Sequence, residues 1–432
     1  MTYGFTASTN DEAAMQGICF DDETELLTSE GWKLFPEVRG DEQVLTLNGD
    51  TAEWGSITKV IRAPFDGDLN LHDGDRVNFC ITHTHRLLAS PMHYRKPDQT
   101  LCRYCDRSVG AKGIARHEGT HQRRGDEMIR PERQPAGEPV RRWHLAEYQD
   151  LPQEFFIRRT NTWRGHSPDT VTFDAPAPAR SQKPHHQVAR TFAFKDWAAF
   201  LGWFVAEGWT TGDGRNNRIG IAQNPGDKYE EIAALLDRMG LPYSRHAKSL
   251  IFFSAPIAVW LREHCGVGSE NKRIPHSIRE ATPEMIEAFL DAFGKGDGAQ
   301  HTHAGSRRYI TSSRQLADDL HEVLCKVGRA RKLRIMHAEG SEGTGPQGKI
   351  FQRRRATWMI NEAGRPADSN VSKKNVVKHR YTGTVYCAST PHETIMVRRK
   401  GCPMWSGNSS NLLLAVDEAG GIARTIGDGT NR

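Results

Sequence analysis

Long apolar runs are missing from this 432-residue chain. No stretch of about 18 consecutive apolar residues occurs, which excludes a membrane-spanning helix of the ordinary kind. The first residues, MTYGFTASTNDEAAM, lack the basic start and apolar middle of a secretory signal, so a soluble, cytoplasmic protein without a membrane partner is expected. Cysteine is scarce and scattered: the eight residues at 19, 80, 102, 105, 265, 325, 387 and 402 show no secreted disulfide spacing. Only Cys102 and Cys105 form a tight pair, which points to metal or redox chemistry. A dominant charge is also lacking, since 58 Lys and Arg face 53 Asp and Glu for a net charge of +5. The basic clusters Arg123–Arg124, Arg353–Arg355, Lys373–Lys374 and Arg398–Lys400 permit a polyanionic partner without requiring one. With 37% hydrophobic residues and a mean hydropathy of −0.63 the chain is polar but not of disordered composition, and its length suggests about two to four domains.

Along the chain the texture changes three times. Residues 19–90 read as short strands broken by Gly, Asp and Asn, as in TELLTSEGWKLF, EQVLTLNGD and VNFCITHTHRLLA. From about 96 to 190 Arg, Pro, Gly and His dominate with little apolar periodicity, which reads as a small module followed by a linker. Residues 191–362 hold helical spacing in WAAFLGWFVAEGW and PEMIEAFLDAFGKGDG, and amphipathic helices in KYEEIAALLDRMG and SRQLADDLHEVLCKVG, with strand-like runs between them. This region is α+β and internally duplicated. Residues 363–408 return to the β style. An all-β beginning and end around an α/β insert predict one domain split by another.

The edges of that split carry a chemical pattern. Cys19 opens CFDDETELLTSEGW, Thr82-His83-Thr84-His85 follows, and near the far end stand VYCAST and then Ser406-Gly407-Asn408-Ser409. Taken singly, each has a dull explanation: a buried cysteine behaves as a small apolar residue, and THTH or SGNSS reads as surface or turn. In this order the set resembles the splicing blocks of inteins, whose Hint horseshoe fold is shared with hedgehog autoprocessing domains. That resemblance implies that Cys19 attacks the carbonyl of Ile18 to make a thioester, a thiol being both a good nucleophile and a good leaving group. It further implies that Thr82 and His85 polarise and protonate the scissile amide, as oxyanion donor and general acid. Ser409 then takes over the acyl group. Asn408 cyclises to release the insert, and Ile18 is joined to Ser409 without any cofactor. Two positions depart from the usual pattern. Gly407 stands where many inteins carry histidine, which makes His392 a candidate to assist Asn408. Cys387 stands where an aspartate is common, either assisting or acting as a branching nucleophile; since Cys19 is present, the ordinary pathway is expected.

Leu201 to Gly208 (LGWFVAEG) and Leu290 to Gly298 (LDAFGKGDG) resemble the paired motifs of LAGLIDADG homing endonucleases, with their acids, Glu207 and Asp297, ninety residues apart. One such motif reads as ordinary helix packing; two, each followed by strands and a helix, suit a pseudo-symmetric pair. Small residues would let the helices approach and bring both acids to a groove, where they would ligate Mg²⁺ for phosphodiester hydrolysis of double-stranded DNA. Basic residues of KIFQRRRATW would contact phosphates and base edges, with Lys248 or Lys349 as an accessory cation.

Cys102-x₂-Cys105-x₁₁-His117-x₃-His121 has zinc-ligand spacing and resembles a two-cysteine, two-histidine finger, with a structural Zn²⁺ expected. Gly343 to Ile350 nearly matches a phosphate-binding loop, but it lacks the following Ser or Thr and joins two strands, so a hairpin is expected. After Ser409, NLLLAVDEAGGI resembles a Walker B strand ending in Asp417-Glu418, and the joined flanks resemble a phage terminase large subunit, a DNA-packaging ATPase. No Walker A accompanies it.

The sequence therefore predicts a multidomain chain. Residues 1–18 and 409–432 are host remnants, 19–95 and 363–408 form the split all-β splicing domain, and 191–362 form the α+β LAGLIDADG domain. Between them, 96–125 form a zinc-finger-like module and 126–190 a DNA-contacting linker. The expected function is autocatalytic splicing with an embedded endonuclease acting at the uninterrupted host site; the flanking segments serve as partners in cis, and a monomer is expected. The alternatives are a zinc-bearing DNA-binding protein with an inert endonuclease fold, or a fragment of a packaging ATPase.

Overall fold

The computed structural model describes residues 19–91, 99–105, 107–133, 141–175, 189–212, 217–300, 306–345 and 348–408. Apolar alternation in the first segment produces strands that pair with strands from the far end of the chain. Thr24–Thr28 lies antiparallel to Thr394–Arg399, which pairs with Cys402–Gly407, and that strand reaches Arg86–Pro91. Gln43–Asn48 and Thr51–Ser56 extend the sheet on one side. On the other side Glu154–Ile157 pairs with Arg86–Pro91 and with Ser369–Ser372. The sheet has eleven strands drawn from both ends of the chain. Above it runs a long ribbon in which Lys59–Asp73 pairs with Val376–Ser389 in continuous register, from His72 opposite Val376 to Lys59 opposite Ser389. Asn78–Ile81 adds a third strand, and Phe20 bridges Tyr386 and Ile81.

The stretch 126–190 departs from its expected linker character. His144–Glu147, Glu154–Ile157 and Thr162–Trp163 are strands of the large sheet, and Thr170–Phe173 pairs with Arg190–Ala193 ahead of the first long helix. Their runs are only two to four residues long, too short for alternation to stand out of an Arg- and Pro-rich background.

The small module is a hairpin, Gln99–Leu101 with Ser108–Gly110, followed by helix α1, Ile114–Arg124. Gly125, at φ 75°, ends that helix in the left-handed conformation glycine adopts without strain.

The α/β region is a tandem repeat. Helix α2 (Phe194–Glu207), two strands, helix α3 (Asp227–Arg238), two strands and helix α4 (Ala255–Cys265) form the first half. After the short helix α5 (His276–Arg279), helix α6 (Pro283–Gly296), two strands, helix α7 (Arg314–Lys326) and two further sheet strands, Ala330–His337 and Thr357–Glu362 with a separate hairpin between them, repeat the pattern. Each half holds an antiparallel four-stranded sheet in which the second and fourth strands in chain order are central. Gly343 to Ile350 lies within the antiparallel pair Glu342–Thr344 and Ile350–Gln352, the hairpin expected there.

Helices α2 and α6 meet through their small residues. A Cβ on Gly202 would stand 2.4 Å from the Phe289 carbonyl oxygen and 2.8 Å from the Ala292 Cβ; one on Gly296 would stand 2.5 Å from the Ala206 Cβ. All three gaps are shorter than any a real Cβ shows, so the helices approach closely where glycine permits. One apolar core runs from this pair (Phe200, Leu201, Phe204, Phe289, Phe293) to Leu27, Leu45 and Trp405 of the large sheet, while a second core lies between sheet and ribbon. A buried charge network joins the two regions. Arg398 is fully buried and forks onto Glu25 at 2.6 and 2.7 Å while reaching Asp318 of α7 at 2.6 Å. Lys326, also fully buried, pairs with Glu322 and Glu280, each at 2.8 Å. Among the described residues no helix is long and apolar enough to cross a membrane.

Candidate functional sites

The turn after Ile81 gathers residues from both ends of the sheet region. Cys19 is buried where the chain enters the ribbon, and its backbone N–H donates to Thr82 Oγ1 at 2.9 Å. The Thr82 N–H donates back to the Cys19 carbonyl at 3.1 Å. Cys19 and Cys387 lie in one cluster of buried residues with Cys80, Ala63, Leu69 and Val385. In that cluster burial, then the charge of Asp21, pushes the Cys80 thiol up to about 12, so Cys80 is packing and not a nucleophile. His85 is fully buried against Phe20. Its Nε2 lies 2.9 Å from Ser406 Oγ, and its Nδ1 has no hydrogen-bond partner among the described residues. Burial, seconded by Arg86, lowers its pKa to about 3, so the imidazole is neutral. That alters the expected general-acid role: a neutral ring must take up a proton before it can deliver one.

Arg86, next in sequence, turns to the other junction. Its Nε and Nη2 donate to the Asn408 backbone carbonyl at 3.0 and 2.7 Å, and its Nη1 lies 3.3 Å from Glu393. The Asn408 N–H donates to the Glu393 carbonyl at 3.0 Å, and its Nδ2 donates to Thr390 Oγ1 at 3.3 Å. Thr82, His85, Cys19 and Asn408 thus lie around one turn, with Cys387 in the buried cluster that holds Cys19. His392 does not join them. It is half-exposed, and its Nε2 pairs with Glu53 at 2.9 Å, because the chain reverses at Thr390–Glu393 and turns this side chain outward. Ser409 lies outside the described residues, as do Ile18 and the Asp417-Glu418 segment. Arg86 and Ser406 were missed by sequence reasoning; adjacency to the His85 motif was the available signal for Arg86.

In the α/β region Glu207 ends α2 and Asp297 caps α6, so the helix crossing at Gly202 and Gly296 brings both acids to one end of the pair. Asp297 remains open to solvent. The protein packed around it, then the Glu207 charge, raises its carboxyl to about 6, with Lys272 opposing. Lys272 donates to the carbonyls of Phe204, Val205 and Gly208, each at 2.8 Å, capping the C-terminus of α2. Burial brings its ammonium down to about 8, while Asp297, Cys265 and Glu207 pull the other way. Lys272 is therefore a cation beside the acids; Lys248 and Lys349 are exposed on hairpins. Lys272 escaped notice because no local pattern links it to either helix.

The four Cys/His ligand atoms of the small module lie within 4.8 Å of one another. Cys105 Sγ to His117 Nε2 and His117 Nε2 to His121 Nε2 are each 3.3 Å. Two imidazole nitrogens at about 2.0–2.1 Å from one tetrahedral ion stand about 3.3–3.4 Å apart, so the donors fit zinc in kind and spacing. His121 Nδ1 faces Asp126 at 2.6 Å, a carboxylate that fixes the ring for ligation through Nε2.

A cleft of about 640 Å³ lies where the large sheet meets the second half of the repeat, lined by Arg76, Arg307, Arg308, Arg331, Lys332, Arg334 and Arg365 against Asp75 and Glu362. Such an excess of guanidinium groups suits a polyanion.

No family model matches the chain. It is 23% identical over 243 residues to an uncharacterized protein of Methanocaldococcus jannaschii, covering 47% of this chain and 27% of that protein. It is 22% identical over 267 residues to the C-terminal section of DNA-directed RNA polymerase subunit beta of Stigeoclonium helveticum, covering 51% and 24%. To a DNA polymerase of Thermococcus aggregans it is 31% identical over 140 residues, covering 31% and 8%. The chain thus spans about a quarter or less of these relatives. Among solved structures, I-DmoI in complex with its target DNA is similar at 12% identity and a TM-score of 0.27, over 39% of this chain and 89% of that one.

Proposed function

We propose that this chain is a protein-splicing element of the Hint type that carries a LAGLIDADG-type DNA endonuclease. One observation carries the splicing reading: a single turn, Thr82–Arg86, contacts both residues proposed as splice junctions, Cys19 through Thr82 and Asn408 through Arg86, although they are 389 positions apart. In the first step Cys19 Sγ attacks the Ile18 carbonyl carbon. The thiol proton passes by way of neutral His85 to the Cys19 nitrogen, and the amide becomes a thioester. Thr82 holds that nitrogen. Ser409 Oγ then displaces Cys19 Sγ, and Asn408 Nδ2 closes onto its own carbonyl carbon and expels the Ser409 nitrogen. An oxygen-to-nitrogen acyl shift joins Ile18 to Ser409, and Cys387 assists within the same buried cluster. The relatives favour an insert: the chain matches minor portions of an RNA polymerase subunit and a DNA polymerase, proteins of unlike function.

For the endonuclease, Glu207 and Asp297 would hold Mg²⁺, which supplies charge stabilisation for phosphodiester cleavage. Lys272 anchors the helix end that carries Glu207, and the arginine-lined cleft would bind DNA phosphates. Cys102, Cys105, His117 and His121 would hold a structural Zn²⁺. The flanks are read as parts of a phage terminase large subunit host.

Expression of the unmutated chain should release a 390-residue product and join the flanks into one of 42 residues, while Cys19→Ala with Asn408→Ala stays full length. If the unmutated chain stays intact under every reducing condition and temperature tried, the splicing reading fails. DNA carrying the joined host coding sequence should be cut, and Asp297→Asn should abolish cutting. DNA binding with neither splicing nor cutting would favour an inert zinc-bearing DNA-binding protein.

A further inference from the structure

The residue before Asn408 is glycine, and the structure shows what occupies the space a side chain there would need. A Cβ on Gly407 would stand 2.8 Å from the Arg86 carbonyl oxygen, 3.0 Å from the Arg86 Cβ and 2.9 Å from Leu145 Cδ2. Backbone and Cβ cannot yield as a flexible side-chain end could, so no histidine fits at 407 while Arg86 keeps its place. Arg86 is itself only slightly exposed and reaches the Asn408 carbonyl oxygen with two N–H donors, at 3.0 and 2.7 Å. Glu393 steadies the guanidinium through Nη1 and also accepts the Asn408 N–H. Arg86 thus holds the carbonyl at which cyclisation must occur, while Glu393 holds the N–H of the same residue.

Resting on the splicing reading, we propose that Arg86 is the catalytic residue for release at the C-terminal junction, its forked donors stabilising the oxyanion that forms on the Asn408 carbonyl oxygen. When Asn408 Nδ2 attacks the carbonyl carbon, the new C–N bond closes a succinimide ring. One Nδ2 proton is lost, the bond to the Ser409 nitrogen breaks, and that nitrogen leaves with a proton as an amine. Negative charge accumulates on one atom, the oxygen that Arg86 already holds. A guanidinium is the suitable group, since it stays charged at every working pH and presents parallel donors. Gly407 is then a requirement of the arrangement, and the absence of a histidine there is its consequence.

The two junctions can be read separately. In a Cys19→Ala chain only cleavage after Asn408 remains; in an Asn408→Ala chain, dithiothreitol reports thioester formation at Cys19. Arg86→Gln should slow C-terminal cleavage by roughly 100-fold or more, the scale of losing an oxyanion donor. Free guanidinium ion at low millimolar concentration should restore part of the rate to Arg86→Ala. Gly407→His, which introduces the histidine many inteins use, should also slow C-terminal cleavage because it displaces Arg86. The proposal is overturned if Arg86→Gln cleaves after Asn408 within about threefold of the parent, or if Gly407→His accelerates cleavage. If the parent cleaves at neither junction, the splicing reading itself has failed.

Discussion

Replacing Arg398 with alanine removes the centre of the buried charge network between the large sheet and α7. The guanidinium is fully buried, bound to Glu25 at 2.6 and 2.7 Å and to Asp318 at 2.6 Å, and stacked 4.3 Å over the Trp32 ring. Deleting one partner of a buried ion pair destabilises by about 3–5 kcal/mol, because the remaining charge is left uncompensated. Here two acids are left, but Arg314 already reaches Asp318 at 2.7 Å and Glu25 at 3.5 Å, which holds the loss near the lower bound. The lost ring contact adds about 1 kcal/mol, between the exposed and the desolvated value because Trp32 is only half-buried. The expected total is about 3–4 kcal/mol, measured by urea unfolding of an Asn408→Ala chain that cannot excise itself. For a cooperative unit of about 150–250 residues, 3 kcal/mol corresponds to roughly 6–12 °C in Tm. The triple variant Arg398→Met, Glu25→Gln, Asp318→Asn should lose less, since the one charge it leaves without these partners, Arg314, is exposed to solvent. A loss below about 1 kcal/mol for Arg398→Ala, or a larger loss for the triple variant, would refute the argument.

Asp297→Asn should stabilise the protein above about pH 6 and give no advantage below about pH 4. The native carboxyl titrates near 6 against an ordinary 3.8, so the native state loses stability as pH rises through that window, and a thermal melt series measures it. His85 runs the other way. Its imidazole is neutral down to about pH 3 against an ordinary 6.5, so unfolding takes up a proton and stability falls as pH drops through that range. His85→Gln should show a flatter pH profile between those limits. One Zn²⁺ per chain is expected by metal analysis, with Cys102→Ser losing it and Asp126→Ala weakening affinity by about 10–100-fold. Gly202→Val should destabilise by at least about 1–3 kcal/mol in denaturant unfolding, because its Cβ would meet the Phe289 carbonyl oxygen at 2.4 Å.

Much of the architecture was legible where a pattern is local. The glycines of the two helical motifs, the Gly-terminated amphipathic helices and the Cys-x₂-Cys…His-x₃-His spacing act over one or a few turns. Each corresponds to an element the structure contains. The described strands between 126 and 190 were illegible because they are too short for periodicity; they are held by pairing with Arg86–Pro91, Thr51–Ser56, Ser369–Ser372 and Arg190–Ala193. His392, expected beside Asn408, pairs with Glu53 instead for a related reason. Position in a motif states which residues are near in sequence, and the reversal at Thr390–Glu393 decided which way the ring faced.

By itself, the sequence determined which groups are available: a thiol at 19, an asparagine at 408 with glycine before it, two acids ninety positions apart, and four zinc-type ligands. Chemistry of that kind belongs to the residue and survives any fold. The tertiary structure alone decided how those groups are met. It neutralised His85 by burial, set Lys272 behind Glu207 and Asp297, and filled the space beside Gly407 with the backbone of Arg86 while its guanidinium held the Asn408 carbonyl. Burial, charge proximity and excluded volume are properties of neighbours in space, and strands from opposite ends of a chain acquire them only when the sheet closes.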